Sequence, residues 1–214
     1  MALTDQSTRI RTGEELDASL IDPYLKTHIS GLSGLPRISQ FPGGASNLTY
    51  LLEYPEQEFV LRRPPFGHKA KSAHDMGREF RILNQLRDGF PYCPKAYVHC
   101  TDESVIGAEF YVMERVNGII LRSDLPPELG LDPAKTETLC KSFIDKFVEL
   151  HRVDYNAYGL GDLGKPEGYV ARQIKGWSDR YEKALTPDAP QWEVVKAWLN
   201  DKMPADHPTS SIVH

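Results

Sequence analysis

Apolar residues recur at helical spacing from the start of the chain. Leu16, Leu20, Ile21, Leu25 and Ile29 predict an amphipathic helix over 12–29, with Gly31 as its stop. The period then shortens. Arg37–Phe41, Thr49–Tyr54 and Glu58–Arg62 are short runs of apolar and β-branched residues, separated by Pro42-Gly43-Gly44 and Pro55-Glu56-Gln57. Turn residues between strand-like runs predict a three-stranded antiparallel meander. A Lys-rich stretch follows, then a helix over 74–88 with Met76, Phe80, Leu83 and Leu86 or Arg87 on its inner stripe. Two more strands are expected near 95–99 and 108–113.

After Asn117-Gly118 the pattern is mostly helical. Asp132-Pro133 is a capping residue followed by a first-turn proline, and Leu139, Phe143, Phe147 and Leu150 carry the stripe behind it. Further helices are expected over 169–184 and 191–203. The order predicts an α+β chain: a small antiparallel sheet lobe with one main helix, then a helical lobe.

Composition narrows the classes. The chain has 214 residues and a net charge of −5, which argues against nucleic-acid binding through bulk charge. No run approaches the roughly 18 apolar residues of a membrane span. Residues 1–11 are polar and lack a leader-like apolar core, so a cytoplasmic protein is expected. Cys93, Cys100 and Cys140 form no Cys-x-x-Cys pair, and His68 and His74 lack ligand spacing; neither a disulfide framework nor a metal site is expected.

Four features carry candidate chemistry, each with a plainer alternative. Gly43, Gly44, Ser46 and Asn47 lie between two strands, where paired glycines let backbone approach a phosphate; they equally suit an ordinary hairpin turn. Strand alternation sets Val60 and Arg62 on one face and Leu61 and Arg63 on the other. Arg62 could meet phosphates, or both arginines could mark a solvated strand edge. Glu79 lies close to the buried stripe of its helix, where it could pair with Arg62 or remain a surface carboxylate. The run from Phe110 to Gly118 ends a buried strand in a connector, either a ligand cleft or a simple linker.

In this order the motifs GGASNLTY, FVLRRPP, GREFRILNQL, SVIGAEFYVMERVNG and GYVARQIKGW resemble the aminoglycoside phosphotransferase family, the small-molecule branch of the protein-kinase-like fold. The likeness is strongest to the kinase-like domain fused to some acyl-CoA dehydrogenases and to stand-alone bacterial relatives of it; it runs from about Ile38 to the end, and the helix before it also fits. It implies a nucleotide-binding lobe over 1–113, a hinge over 114–118 and an incomplete helical lobe over 119–214. It also implies ATP with Mg²⁺ as cofactors and a small-molecule hydroxyl, a hydroxyacyl compound among the candidates, as acceptor, with neither nucleic acid nor membrane as partner. Gly43, Gly44, Ser46 and Asn47 would cover the phosphates, and Val60 would roof the adenine. Arg62 would replace the kinase lysine, with Glu79 as its helix partner. Met113 would back the adenine, and the Glu114 C=O and Val116 N–H would read its edge.

The family's catalytic loop reads His-Gly-Asp-x-x-x-x-Asn. His214 is its only residue in this sequence, so the 214-residue chain is expected to lack turnover. Apolar surface is expected around Leu139, Phe143, Phe147, Trp192 and Trp198. Tyr169, Arg172, Gln173 and Trp177 either border the acceptor site or form a packing stripe. A non-catalytic nucleotide-binding or interaction module on the same scaffold is the alternative function.

Overall fold

The computed structural model describes residues 4–42, 47–67, 74–121, 124–207 and 209–212. Gly43, Gly44, Ser46 and His214 lie outside them, as does most of the Lys-rich stretch. The chain divides into two compact units, Met1–Leu150 and His151–His214.

The first unit is built on a five-stranded antiparallel sheet. Its strands are β1 (Arg37–Gln40), β2 (Leu48–Glu53), β3 (Glu58–Arg63), β4 (Ala96–Cys100) and β5 (Phe110–Glu114), in spatial order β1-β2-β3-β5-β4. The meander forms as expected, with Ser39 opposite Leu51 and Leu51 opposite Val60. β5 then inserts between β3 and β4, pairing Val60 with Met113 and Arg62 with Tyr111. A short turn joins β2 to β3, the Tyr54 N–H donating to the Gln57 carbonyl, while the β3-to-β4 connection carries helix α2 (Met76–Leu86).

Pleating gives the sheet two different faces. Leu48, Tyr50, Leu52, Phe59, Leu61, Val98, Phe110 and Val112 bury one face against Ile21 and Leu25 of α1 (Ala18–His28) and its C-cap Ile29. The other carries a smaller cluster of Phe41, Leu51 and Val60, with Met113 against it. α2 lies along β4 and β5, where Phe80 stacks on His99 at 5.3 Å and meets Tyr111 edge-on at 6.4 Å. Only Met76 and Leu86 of its predicted stripe are fully buried. Phe80 and Leu83 are half-buried.

α1 begins six residues later than its apolar spacing predicts. Tertiary hydrogen bonds claim the stretch before it: the Tyr50 hydroxyl donates to the Glu14 carbonyl at 2.7 Å, and the Gln40 amide donates to the Glu14 carboxylate at 2.6 Å. Asp17 then caps the helix, accepting from the Ser19 N–H at 2.8 Å. At the edge of β1, Thr8 and Gln40 exchange backbone hydrogen bonds, so the N-terminal segment extends the sheet.

Burial pushes the Tyr50 phenol up to about 12. It raises Tyr54 as well, whose hydroxyl donates to Asp22 at 3.0 Å. A phenol raised in the folded state stabilises fully below its unfolded value, near 10, and loses that contribution as pH climbs towards the folded value. The melting temperature should therefore hold steady up to about pH 9 and fall between about pH 10 and 12, together with phenolate absorbance. A melting temperature unchanged across that window would contradict this account.

α3 (Pro133–His151) starts as its cap residue predicts, the Asp132 carboxylate accepting from the Lys135 N–H at 2.8 Å. α4 (Tyr169–Ala184) matches its predicted limits, while α5 (Glu193–Asp201) is shorter at both ends than its pattern suggests. Leu139, Phe143, Trp192 and Trp198 are exposed. Within the second unit α4 and α5 enclose an apolar groove of about 600 Å³ lined by Gln173, Trp177, Tyr181, Trp192, Val195 and Leu199. No helix among the described residues is long and apolar enough to cross a membrane.

Candidate functional site

The face of the sheet opposite α1 gathers the residues that the sequence singles out. Val60 and Arg62 project from β3 on this side because they are two residues apart, and cross-strand pairing brings Leu51, Met113 and Tyr111 beside them. Phe41, Leu51 and Val60 are each 6% exposed and form an apolar ceiling. The same face continues into a polar cavity of about 730 Å³ lined by Arg37, Ser39, Leu51, Glu53, Arg115 and Asn117.

Beside the ceiling stands an ion pair. Arg62 Nη1 lies 3.2 Å from Glu79 Oε2, both side chains about one-third exposed (31% and 32%). The α2 carboxylate thus faces the sheet. The Tyr111 hydroxyl donates to Glu79 Oε2 at 2.9 Å, and Asn47 Nδ2 donates to Oε1 at 2.9 Å. Burial holds the Tyr111 phenol above its usual range, which keeps its proton available to donate. His74 Nδ1 lies 2.8 Å from Asn47 Oδ1.

Arg62 Nε is buried and, among the described residues, has no hydrogen-bond partner. A buried donor left without an acceptor is costly. Arg63, one residue on, is 2% exposed on the other face. It donates to the carbonyls of Pro64 and Ile106 at 3.1 and 3.2 Å and lies 3.7 Å over the Phe66 ring. The solvated strand edge is therefore not what forms; the two arginines have separate tasks because adjacent strand residues point to opposite faces.

The connector after β5 is fixed at both sides. Glu114 accepts from the Lys95 N–H at 2.9 Å and its Oε2 is 3.4 Å from Arg87. The Arg115 guanidinium lies 4.7 Å over the Phe41 ring and donates to the Asp5 carbonyl at 2.7 Å. Val116 is 60% exposed. The structure therefore brings together Asn47, Val60, Arg62, Glu79 and Met113; Glu114 ends β5, where it pairs with Phe59, and Val116 lies in the connector that follows, so the hinge expected over 114–118 starts one residue later. Sequence reasoning missed Tyr111 at the carboxylate and His74 at the Asn47 amide. Tyr111 was detectable, since alternation on β5 puts it on the face of Met113.

In the second unit, Gln173 and Trp177 line the α4–α5 groove, whereas Arg172 turns to the carbonyls of Lys165 and Glu167. Among the described residues, no group of three or more His, Cys, Asp or Glu side chains converges as a metal site would need.

The comparisons with known proteins agree with this architecture. Residues 37–214 match the model of the phosphotransferase enzyme family. Human acyl-CoA dehydrogenase family member 11 is 34% identical over 94% of this chain, and the chicken protein of that name 32% over 100%. A probable acyl-CoA dehydrogenase of Arabidopsis thaliana, IBR3, is 31% identical over 98%. The chain spans only 26–28% of the length of these three relatives. Among solved structures, a Ralstonia eutropha protein described as an aminoglycoside phosphotransferase superposes with a TM-score of 0.73 at 33% identity, covering 90% of this chain and 56% of its own. A macrolide 2'-phosphotransferase type I, at 20% identity and a TM-score of 0.51, shares the fold over 91% of this chain and 62% of its own. With an α+β kinase-like fold and a family match from β1 onward, the chain belongs to the phosphotransferase enzyme family.

Proposed function

We propose that this chain carries the nucleotide-binding part of an ATP-dependent phosphotransferase that moves the γ-phosphoryl group of MgATP to a hydroxyl of a small metabolite. The observation that carries the reading is the Arg62–Glu79 pair beside an apolar ceiling, with Arg62 Nε buried and unpaired among the described residues. Adenine fits beneath Val60, Leu51 and Met113, where flat apolar surface is removed from water. The Glu114 carbonyl and Val116 N–H would read its edge. Arg62 would hold the α- and β-phosphates. A guanidinium is permanently charged and offers paired donors to phosphate oxygens, so it can substitute for a lysine while gripping two oxygens at once. Gly43, Gly44 and Ser46 would close over the phosphates.

In this reading the chain's residues bind and orient the nucleotide and exclude water from the adenine. ATP supplies the transferable phosphoryl group, and Mg²⁺ would neutralise its charge. The acceptor class proposed is a hydroxyacyl compound, on the strength of the acyl-CoA dehydrogenase names of the relatives. A cytoplasmic location belongs to the same reading.

The test has two arms. Calorimetric titration of MgATP into the 214-residue chain should give saturable binding, and its absence would overturn the nucleotide site. ADP release by the full-length gene product should depend on an acceptor from a panel of hydroxyacyl thioesters, sugars, amino alcohols and aminoglycosides. Binding without turnover across the panel would replace the enzyme by a non-catalytic nucleotide-binding module.

A further inference from the structure

We propose that Asn47 and Tyr111 are positioning residues. By holding the Glu79 carboxylate through both of its oxygens, they set the Arg62 guanidinium in place for the nucleotide phosphates. The inference rests on the nucleotide reading above and assigns Asn47 a task other than contact with phosphate.

The hydrogen-bond directions follow from the chemistry of each group. An ionised carboxylate only accepts, so the Asn47 atom 2.9 Å from Glu79 Oε1 is the amide nitrogen. The amide oxygen therefore faces His74, 2.8 Å away, and the His74 Nδ1 must carry the donated proton. Asn47 is 5% exposed, and its orientation is fixed from both ends. On the other oxygen, Glu79 Oε2 takes the Tyr111 hydroxyl at 2.9 Å beside Arg62 Nη1 at 3.2 Å. Tyr111 is 1% exposed, and burial keeps its phenol protonated.

Four separate elements thus meet at one carboxylate. Asn47 immediately precedes β2, Arg62 lies on β3, Tyr111 on β5, and Glu79 on α2. An arginine–glutamate pair exposed to about one-third would by itself be loosely held, because two long side chains lose rotamer freedom in exchange for a screened attraction. Two neutral donors, both on nearly buried side chains, restrict Glu79 beforehand. Arg62 is then anchored through Nη1, while its Nε is without a partner among the described residues. Preorganisation of this kind raises affinity without adding a ligand contact.

The test separates this role from direct phosphate contact. MgATP affinity is measured by calorimetry for Asn47→Ala, Tyr111→Phe and Glu79→Ala, and for Asn47→Ala and Tyr111→Phe each combined with Glu79→Ala. Asn47→Ala and Tyr111→Phe should each weaken binding about tenfold, the scale of one lost hydrogen bond to a charged group. In the Glu79→Ala background each should add less than about twofold, because their effect passes through the missing carboxylate. An undiminished loss from Asn47→Ala in that background would mean that Asn47 touches the ligand, and would overturn the proposal. A second readout needs no nucleotide: the Arg62 Nε–H resonance should shift and exchange faster with solvent in Asn47→Ala and Tyr111→Phe, but not in Arg37→Ala at the sheet edge. An unaltered resonance in the first two variants would also overturn the proposal, and Tyr111→Phe alone suffices should Asn47→Ala unfold. A wild-type chain that takes up no MgATP would instead defeat the nucleotide reading, leaving the resonance to decide the positioning role.

Discussion

Arg62→Ala should weaken MgATP binding by about 10- to 150-fold, corresponding to about 1.5–3 kcal/mol for a lost charge-assisted contact. Its melting temperature should change little, because the Arg62–Glu79 pair is partly solvated and such pairs contribute about 0–1 kcal/mol to folding. Arg63→Ala should behave in the opposite way. Its guanidinium is buried on the α1 face, bonded to the Pro64 and Ile106 carbonyls and stacked on Phe66, so truncation leaves a cavity and two deprived acceptors. The melting temperature should drop while the folded fraction retains nucleotide affinity. Calorimetry and thermal melts on both variants check this. Equal losses of MgATP affinity would show that the two faces of β3 do not divide the work.

Phe59→Ala should destabilise the first unit by about 3–5 kcal/mol, the range for truncating a fully buried phenylalanine. Phe59 has 0% exposure on a central strand, with Tyr54 and Tyr97 packed edge-on at 6.0 and 5.1 Å. Removing it strips two aromatic contacts and opens a void that rigid strands on either side cannot close. Because Phe59 faces α1 rather than the candidate site, MgATP affinity of the folded protein should stay within about twofold of wild type. Urea unfolding of the variant gives the first quantity and calorimetry the second. A loss under about 1 kcal/mol would mean that this face of the sheet is not the principal core.

The strand runs were legible because alternation and turn residues are local signals. The pairing of β5 with β3 was not local: Val60 meets Met113 across fifty-two intervening residues. The start of α1 was misread because apolar spacing at Leu16 says nothing about Tyr50 and Gln40, which bind Glu14 before the helix begins. The α2 stripe was overestimated for a related reason. Phe80 follows the helical period, yet it lies against His99 and Tyr111 with part of its surface still open to solvent.

At the candidate site, the sequence by itself determined that Val60 and Arg62 share a face, since a strand has a period of two whatever surrounds it. It also determined the α+β order of elements and the motifs through which the chain resembles its family. Only the tertiary structure decided that Glu79 turns inward to Arg62, that Asn47 and Tyr111 hold its two oxygens, and that Arg63 is buried. The physical reason is the reach of the interactions involved. Backbone periodicity is set by neighbouring residues, whereas a carboxylate's partners are chosen by whichever donors the packed strands and helix bring within about 3 Å.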